Sequence, residues 1–238
     1  MGKARYFTHF PVVELQQTFY EPPSVELATK WRALAPEHFQ FCIKAWQLIT
    51  HTPASPTYRR LRSRLSPNEH DLVGSFRPTE QVWLAWQRTL EIARALRARI
   101  ILFQCPASFN PTREHVQNFR SFFAEVRVPD HLLAWEPRGD WPPELVRDLC
   151  QEFNLLHCVD PFKNESVLGS PLYWRLHGRG GYSYRYSDDE LHQLRVQLLA
   201  NVNTHRGPVY VFFNNVWMKD DALRFQSLMQ TGVTSAGQ

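Results

Sequence analysis

Charged and amide side chains recur at the C-terminal ends of short apolar runs in this 238-residue chain, on residue types that handle protons and anions. In LLAWEPR the alternation of a strand puts Glu136 and Arg138 on one face; in LYWRLHG it does the same for Arg175 and His177. FQFCIKAW carries Lys44 with Trp46, VVELQQT carries Glu14 with Gln16, and Gln104 and Asp160 each close a run of their own. Charged groups on a buried face are rare unless paired or functional. The chemistry on offer is proton transfer by Glu14, Glu136 and His177, with Lys44, Arg138 and Arg175 holding an anion. The plain structural alternative is that Glu14, Lys44, Glu136, Arg138, Asp160 and Arg175 form ion pairs that plug a core layer. His157 sits mid-run, facing opposite to Asp160, and reads as a packed core residue.

Two further stretches bear on anions. HGRGGYSYRY offers Gly178, Gly180 and Gly181, whose backbone amides can approach an anion, beside the forked donors Arg179 and Arg185; the alternative is an ordinary turn. Between His51 and Pro78 five arginines (Arg59, Arg60, Arg62, Arg64, Arg77) face Glu69 and Asp71. Prolines and weak periodicity make 51–78 a long excursion. It reads either as a solvated arm or as a lid bringing Tyr58, Arg59 and Arg60 to an anionic ligand. Nucleic acid could use the same arginines with nearby aromatics, although a net charge of +4 is small for that role.

The elements that must position these residues follow a βα rhythm. Seven strand-like runs (Val12–Thr18, Phe39–Trp46, Ile100–Pro106, Leu132–Arg138, Leu155–Pro161, Leu172–Gly178 and Val209–Asn215) alternate with helical stretches. Ser24 caps a helix over Val25–Leu34, Thr79 caps the best-patterned helix, to Leu96, and others span Thr112–Val126, Pro143–Phe153, the segment after Ser187, and Asp220–Met229. The runs are continuously apolar rather than alternating, as parallel strands covered on both faces require. The expected class is α/β, a (β/α)8 TIM-barrel-like fold with only seven strands evident, in one domain over 1–230 with a flexible tail over 231–238. Active sites of such barrels lie at the C-terminal strand ends.

Composition narrows the classes. At 43% hydrophobic and 21% charged residues the chain reads as globular, with no apolar run of membrane length, and MGKARYFTHF lacks a signal-peptide core, which supports a cytoplasmic location. The four cysteines are scattered without a CxxC pair, and the ten histidines form no HxxxH, HExxH or HxH pair, so no metal site is assigned and the cofactor is left unknown.

In their order, VVELQQTFYEPP, FQFCIKAWQLITH, ILFQCPASF, WEPRGDW, YWRLHG and VYVFFNN resemble the DUF72 (YecE-like) family, from about Val12 to about Phe225. The resemblance implies a TIM-barrel-like fold and gives no catalytic assignment. It adds Thr18, Phe19, Tyr20, Thr50, His51, Gly178 and Asn215 to the residues on motif positions. It also implies a glycine-containing strand ahead of the first helix, and Met1 falls after it. Either the true start lies upstream, or an open strand edge invites self-association.

The resulting expectation is an enzyme acting on a small phosphate- or carboxylate-bearing substrate by acid–base chemistry, with phosphoester hydrolysis the first reaction to test. Substrate contacts are expected from Lys44, His51, Gln104, Arg138, Asp160, Arg175, Gly178, Arg179 and Asn215. The alternatives are a nucleic-acid-binding module built on residues 55–64 and a non-catalytic scaffold.

Overall fold

The computed structural model describes residues 2–63, 65–168, 170–204 and 207–231. The chain divides into two compact units, Met1–Leu155 and Leu156–Gln238. In the first, α1 (Lys3–Phe7), β1 (Val12–Leu15), α2 (Gln17–Tyr20), α3 (Val25–Leu34) and β2 (Gln40–Lys44) are followed by α4 (Gln47–Thr50) and two 3-10 turns, Pro56–Arg60 and Pro67–Leu72. Then come α5 (Glu80–Leu96), β3 (Ile100–Gln104), α6 (Arg113–Glu125), β4 (Leu132–Glu136) and α7 (Pro143–Glu152). The second unit holds all but the first residue of β5 (Leu155–Val159), then β6 (Leu172–Leu176), α8 (Asp188–Thr204), β7 (Val209–Phe213) and α9 (Met218–Thr231). Of the expected tail, residues 232–238 lie outside the described residues, as does Arg64 of the basic excursion.

The helices start where the caps predict. Ser24 and Thr79 accept hydrogen bonds from the amides of Leu27 and Val82, and Thr112, expected as a helical residue, is instead a cap of the same kind for His115, each cap contributing about 1 kcal/mol. On α5 the buried residues Val82, Ala85, Trp86, Thr89, Ile92, Ala93 and Leu96 follow helical spacing and form one apolar stripe.

Strands β1 to β4 pair in chain order, all parallel. The register puts Glu14 opposite Cys42, Cys42 opposite Ile100 and Ile100 opposite Leu132, and further along it pairs Gln104 with Glu136. Side chains of paired residues share a face, so Glu14, Lys44, Gln104 and Glu136 all emerge on one side with Cys42, Leu102 and Ala134 between them. Phe41, Ile43, Phe103 and Trp135 emerge on the other, where Phe103 meets Trp86, Phe122 and Phe123, and Trp135 meets Phe119. The aromatic face is the helix-packed one. The polar residues are the last or penultimate residues of their strands.

The second unit follows the same rule. Leu172, Trp174, Leu176 and Phe213 pack on Leu191, Leu194 and Leu198 of α8 and Phe225 of α9. Cys158, Tyr173, Tyr210, Arg175 and Phe212 take the opposite face, by register.

The strands are shorter than the apolar runs, for identifiable reasons. Expected to run to Thr18, β1 stops at Leu15, because the Thr18 hydroxyl lies 2.9 Å from the Leu15 carbonyl and 2.8 Å from the Lys44 carbonyl, turning the chain into α2. Trp46, expected inside a strand, is instead the N-cap of α4, so β2 closes at Lys44. Arg138, Asp160, His177 and Asn215 likewise fall just beyond their strands.

Candidate functional site

The first unit gathers the sequence-derived residues most densely. Lys44, 4% exposed, donates from Nζ to Gln104 Oε1 at 2.5 Å and lies 4.0 Å over the Phe19 ring. Buried cation–π contacts of this kind are worth about 2 kcal/mol. Phe19 is delivered by α2, which the Thr18 hydroxyl clips to the end of β2 by also accepting from the Lys44 amide at 3.1 Å. His51 meets the far side of the cluster, edge-on to Phe19 with centroids 4.9 Å apart. Glu136 is in register with Gln104, and the Arg138 guanidinium stands 3.7 Å from its carboxylate. Glu14 accepts from the Gln16 side-chain amide. The polar face therefore holds two carboxylates, an ammonium and an amide at strand ends, with the His51 imidazole brought beside Phe19 from the end of α4.

Electrostatics sort the roles. Burial first, then the positive charges of Lys44 and Arg138, push the His51 imidazole down to about 3. At neutral pH His51 is uncharged, with Nδ1 2.7 Å from the Thr50 hydroxyl. It can hydrogen-bond a ligand but does not add a positive charge. The smaller, Coulombic part of that depression comes from Lys44 and Arg138, whose positive charge is what an anion needs.

The excursion after β2 exposes many of its residues but is pinned at several points. Tyr58 is half-buried and donates to the His51 carbonyl at 2.7 Å, Arg60 stacks 3.5 Å over the Tyr20 ring, and Arg59 is exposed. Glu21, which the sequence suggests only as part of a turn, accepts from the Arg62 amide at 3.1 Å and the Ser63 hydroxyl at 2.6 Å. Gln47 is fully buried, giving its amide to the Tyr20 carbonyl at 3.0 Å while Oε1 has no partner. Neither role is visible in sequence, because each depends on a segment returning from far along the chain.

Behind His51 the backbone is constrained. Gly74, Ser75 and Phe76 have φ of 80°, 53° and 52°, and their amides bond the carbonyls of Leu48, Thr50 and Ile49. A Cβ on Gly74 would collide with the His51 carbonyl and the Thr52 amide. Gly74→Ala is expected to cost at least about 2 kcal/mol, from the left-handed conformation plus the clash. Urea denaturation measures it, and a cost below about 0.5 kcal/mol would contradict this packing.

In the second unit Asp160 ties strand ends together, accepting from the amides of Phe162 and His177, each at 3.1 Å. Arg175 is fully buried, and His177 lies 3.2 Å from the Asn214 amide through Nδ1. His157 is buried and accepts from the Val167 amide at 3.1 Å. The glycine loop is a built turn: Gly178 has φ of 83°, and a Cβ there would collide with the Gly181 carbonyl. Its amide goes to the Tyr186 hydroxyl at 2.8 Å, and Arg179 pairs with Glu190 at 3.3 Å. Asn215 is buried and bonds Asp221 and the Tyr184 carbonyl, each at 2.7 Å, anchoring the start of α9. Among the described residues no group of three or more His, Cys, Asp or Glu is placed to hold a metal ion, and no helix is long and apolar enough to cross a membrane.

The family model described as "Protein of unknown function DUF72" matches residues 4–237. The chain belongs to the DUF72 family. It is 26% identical over 242 residues to UPF0759 protein YunF of Bacillus subtilis (strain 168), covering 88% of this chain and 79% of that one. The crystal structure of a DUF72 family protein from Enterococcus faecalis V583 matches with a TM-score of 0.71 at 20% identity, over 97% of this chain and 88% of the other. A xylose isomerase domain containing protein from Salmonella typhimurium LT2 matches with a TM-score of 0.62 at 12% identity, over 98% and 92%. These likenesses show the fold of this DUF72 chain, α/β and TIM-barrel-like, with seven parallel strands among the described residues.

Proposed function

We propose that this DUF72 protein is an enzyme that binds a small phosphate- or carboxylate-bearing substrate at the ends of β1 to β4 and works on it by acid–base catalysis. The observation that carries the reading is the convergence of Glu14, Lys44, Gln104 and Glu136 on one buried face, each the last or penultimate residue of its strand. A layer serving stability alone is at least as well served by apolar side chains. Lys44 and Arg138 hold the anion, Gln104 orients Lys44, and Glu14 and Glu136 exchange protons with the substrate. His177 and Arg175, at the end of β6, keep their candidacy for proton transfer and anion binding from strand-end position alone. Phosphoester hydrolysis is the first reaction to try: water gives a proton to one carboxylate as its oxygen bonds to phosphorus, while the bond from phosphorus to the leaving oxygen breaks and that oxygen takes up a proton from the other carboxyl group.

The test is a turnover screen of sugar phosphates, nucleotides and small hydroxy acids followed by NMR, with the active compound then offered to Glu136→Gln and Lys44→Met. Each variant is expected to lose on the order of 10²-fold or more in turnover. Full activity in both, at unchanged melting temperature, would remove the proposal. The nucleic-acid reading predicts binding that falls steeply with salt and survives in both variants, since it rests on Arg59, Arg60 and Arg62.

A further inference from the structure

The opposite, N-terminal ends of the strands in the first unit carry a second concentration of chemistry. A groove of about 980 Å³ opens between the end of α3, the end of α5 and the segment before β4. Four arginines line it, Arg32, Arg94, Arg97 and Arg99, with His38 and His131, against only two carboxylates, Glu37 and Asp130.

Three features set this groove apart from an ordinary charged surface. First, Arg32 is locked in place: Nη1 donates to the Phe39 carbonyl at 2.7 Å, Nη2 donates to the Ala35 carbonyl at 3.0 Å and to that of Pro36, and the guanidinium lies 5.1 Å from the Phe41 ring centroid. Burial, and after it the charge of Arg97, lowers its affinity for its proton, which places a second guanidinium within electrostatic reach. Second, among the described residues no carboxylate pairs with Arg94, Arg97 or Arg99. Third, His131 is anchored through Nδ1 to the Ala98 carbonyl at 2.7 Å, while its Nε2, shut off from water, has no partner.

The helix dipole explains part of this, since Arg32 and Arg94 sit in last helical turns, where cations are favoured. It does not explain Arg99, which lies past the helix. Nor does it explain Arg97, which takes the left-handed C-terminal position of α5, φ 50° and ψ 47°, where glycine is the usual residue. An arginine there costs about 1 kcal/mol and adds like charge to a groove already rich in it.

We propose that this groove is a binding site for a di- or triphosphate group, free or carried by a nucleotide, separate from the acid–base face at the other strand ends. Guanidinium forks match phosphate oxygens in pairs, and several of them spread across a groove suit a chain of phosphates better than a single one. A volume near the upper end of the roughly 300–1,000 Å³ range of small-molecule sites leaves room for a nucleoside as well.

Calorimetric titration with inorganic tripolyphosphate, pyrophosphate, orthophosphate and ATP tests the assignment. The expected result is saturable binding of tripolyphosphate and pyrophosphate, at least about tenfold tighter than orthophosphate and weakening with added salt. The double variant Arg97→Gly, Arg99→Gln should bind tripolyphosphate at least about tenfold more weakly. Its fold is protected, because glycine relieves the left-handed position and the melting temperature should hold or rise. ATP matching tripolyphosphate assigns the site to the phosphates alone, and ATP binding more tightly adds a nucleoside contact. Equal affinity for orthophosphate, undiminished binding by the double variant, or loss of binding in Glu136→Gln, which alters only the other strand ends, would each overturn the proposal. Loss of turnover in Glu136→Gln with tripolyphosphate binding intact would keep the two sites' fates separate.

Discussion

Acidification from about pH 6.5 to about pH 3 should strip this protein of on the order of 4 kcal/mol of stability through one residue, His51. The imidazole takes up its proton near 6.5 when the chain is unfolded but only near 3 in the folded structure, because of burial and then the charges of Lys44 and Arg138. Between those values the unfolded chain binds more protons, so stability rises with pH across the window and falls as pH drops through it. At roughly 1.4 kcal/mol per pH unit the loss is a large part of a typical 5–15 kcal/mol. Urea midpoints measured between pH 7 and pH 4 should decline in the wild type and flatten in His51→Gln. An equal slope in both would show that His51 is not the group responsible. An anion bound beside Lys44 would offset their charges and raise the His51 pKa, so the same titration by NMR reads ligand occupancy directly.

The second large effect is expected from Phe76→Ala, at about 3–5 kcal/mol. Phe76 is fully buried, with the rings of Phe103, Phe109, Phe119, Phe122 and Phe123 at 5.3 to 6.0 Å around it. That packing holds three successive left-handed residues in place, and their amides in turn hold α4 and the His51 carbonyl environment. The consequence reaches the site: without the ring, His51 should become wetter and its pKa should climb back toward 6.5. A destabilisation under about 1 kcal/mol, or an unmoved His51 titration, would mean that the segment is held by its hydrogen bonds alone.

Several features were legible in sequence because they are local. Ser24 and Thr79 cap where a hydroxyl precedes an amphipathic run. Other features were misread because a competing local bond won. The hydroxyl of Thr18 takes over the carbonyls that a longer β1 would have left to a neighbour, and Trp46 leaves the strand to open α4. The long excursion reads in sequence as either a solvated arm or a lid. It is held by Glu21, Tyr20 and the His51 carbonyl, partners 7 to 42 residues away.

By itself the sequence determined the βα order, the strand positions and which side chains of each strand share a face, since the pleat of a strand and the spacing of a helix are properties of the local backbone. Tertiary structure decided which of those side chains meet. Lys44 finds Gln104 across 60 residues because the parallel register staggers one strand against the next. His51 is neutral, and the arginines of the far groove stand together, because burial and Coulomb interaction sum over neighbours that no stretch of sequence contains.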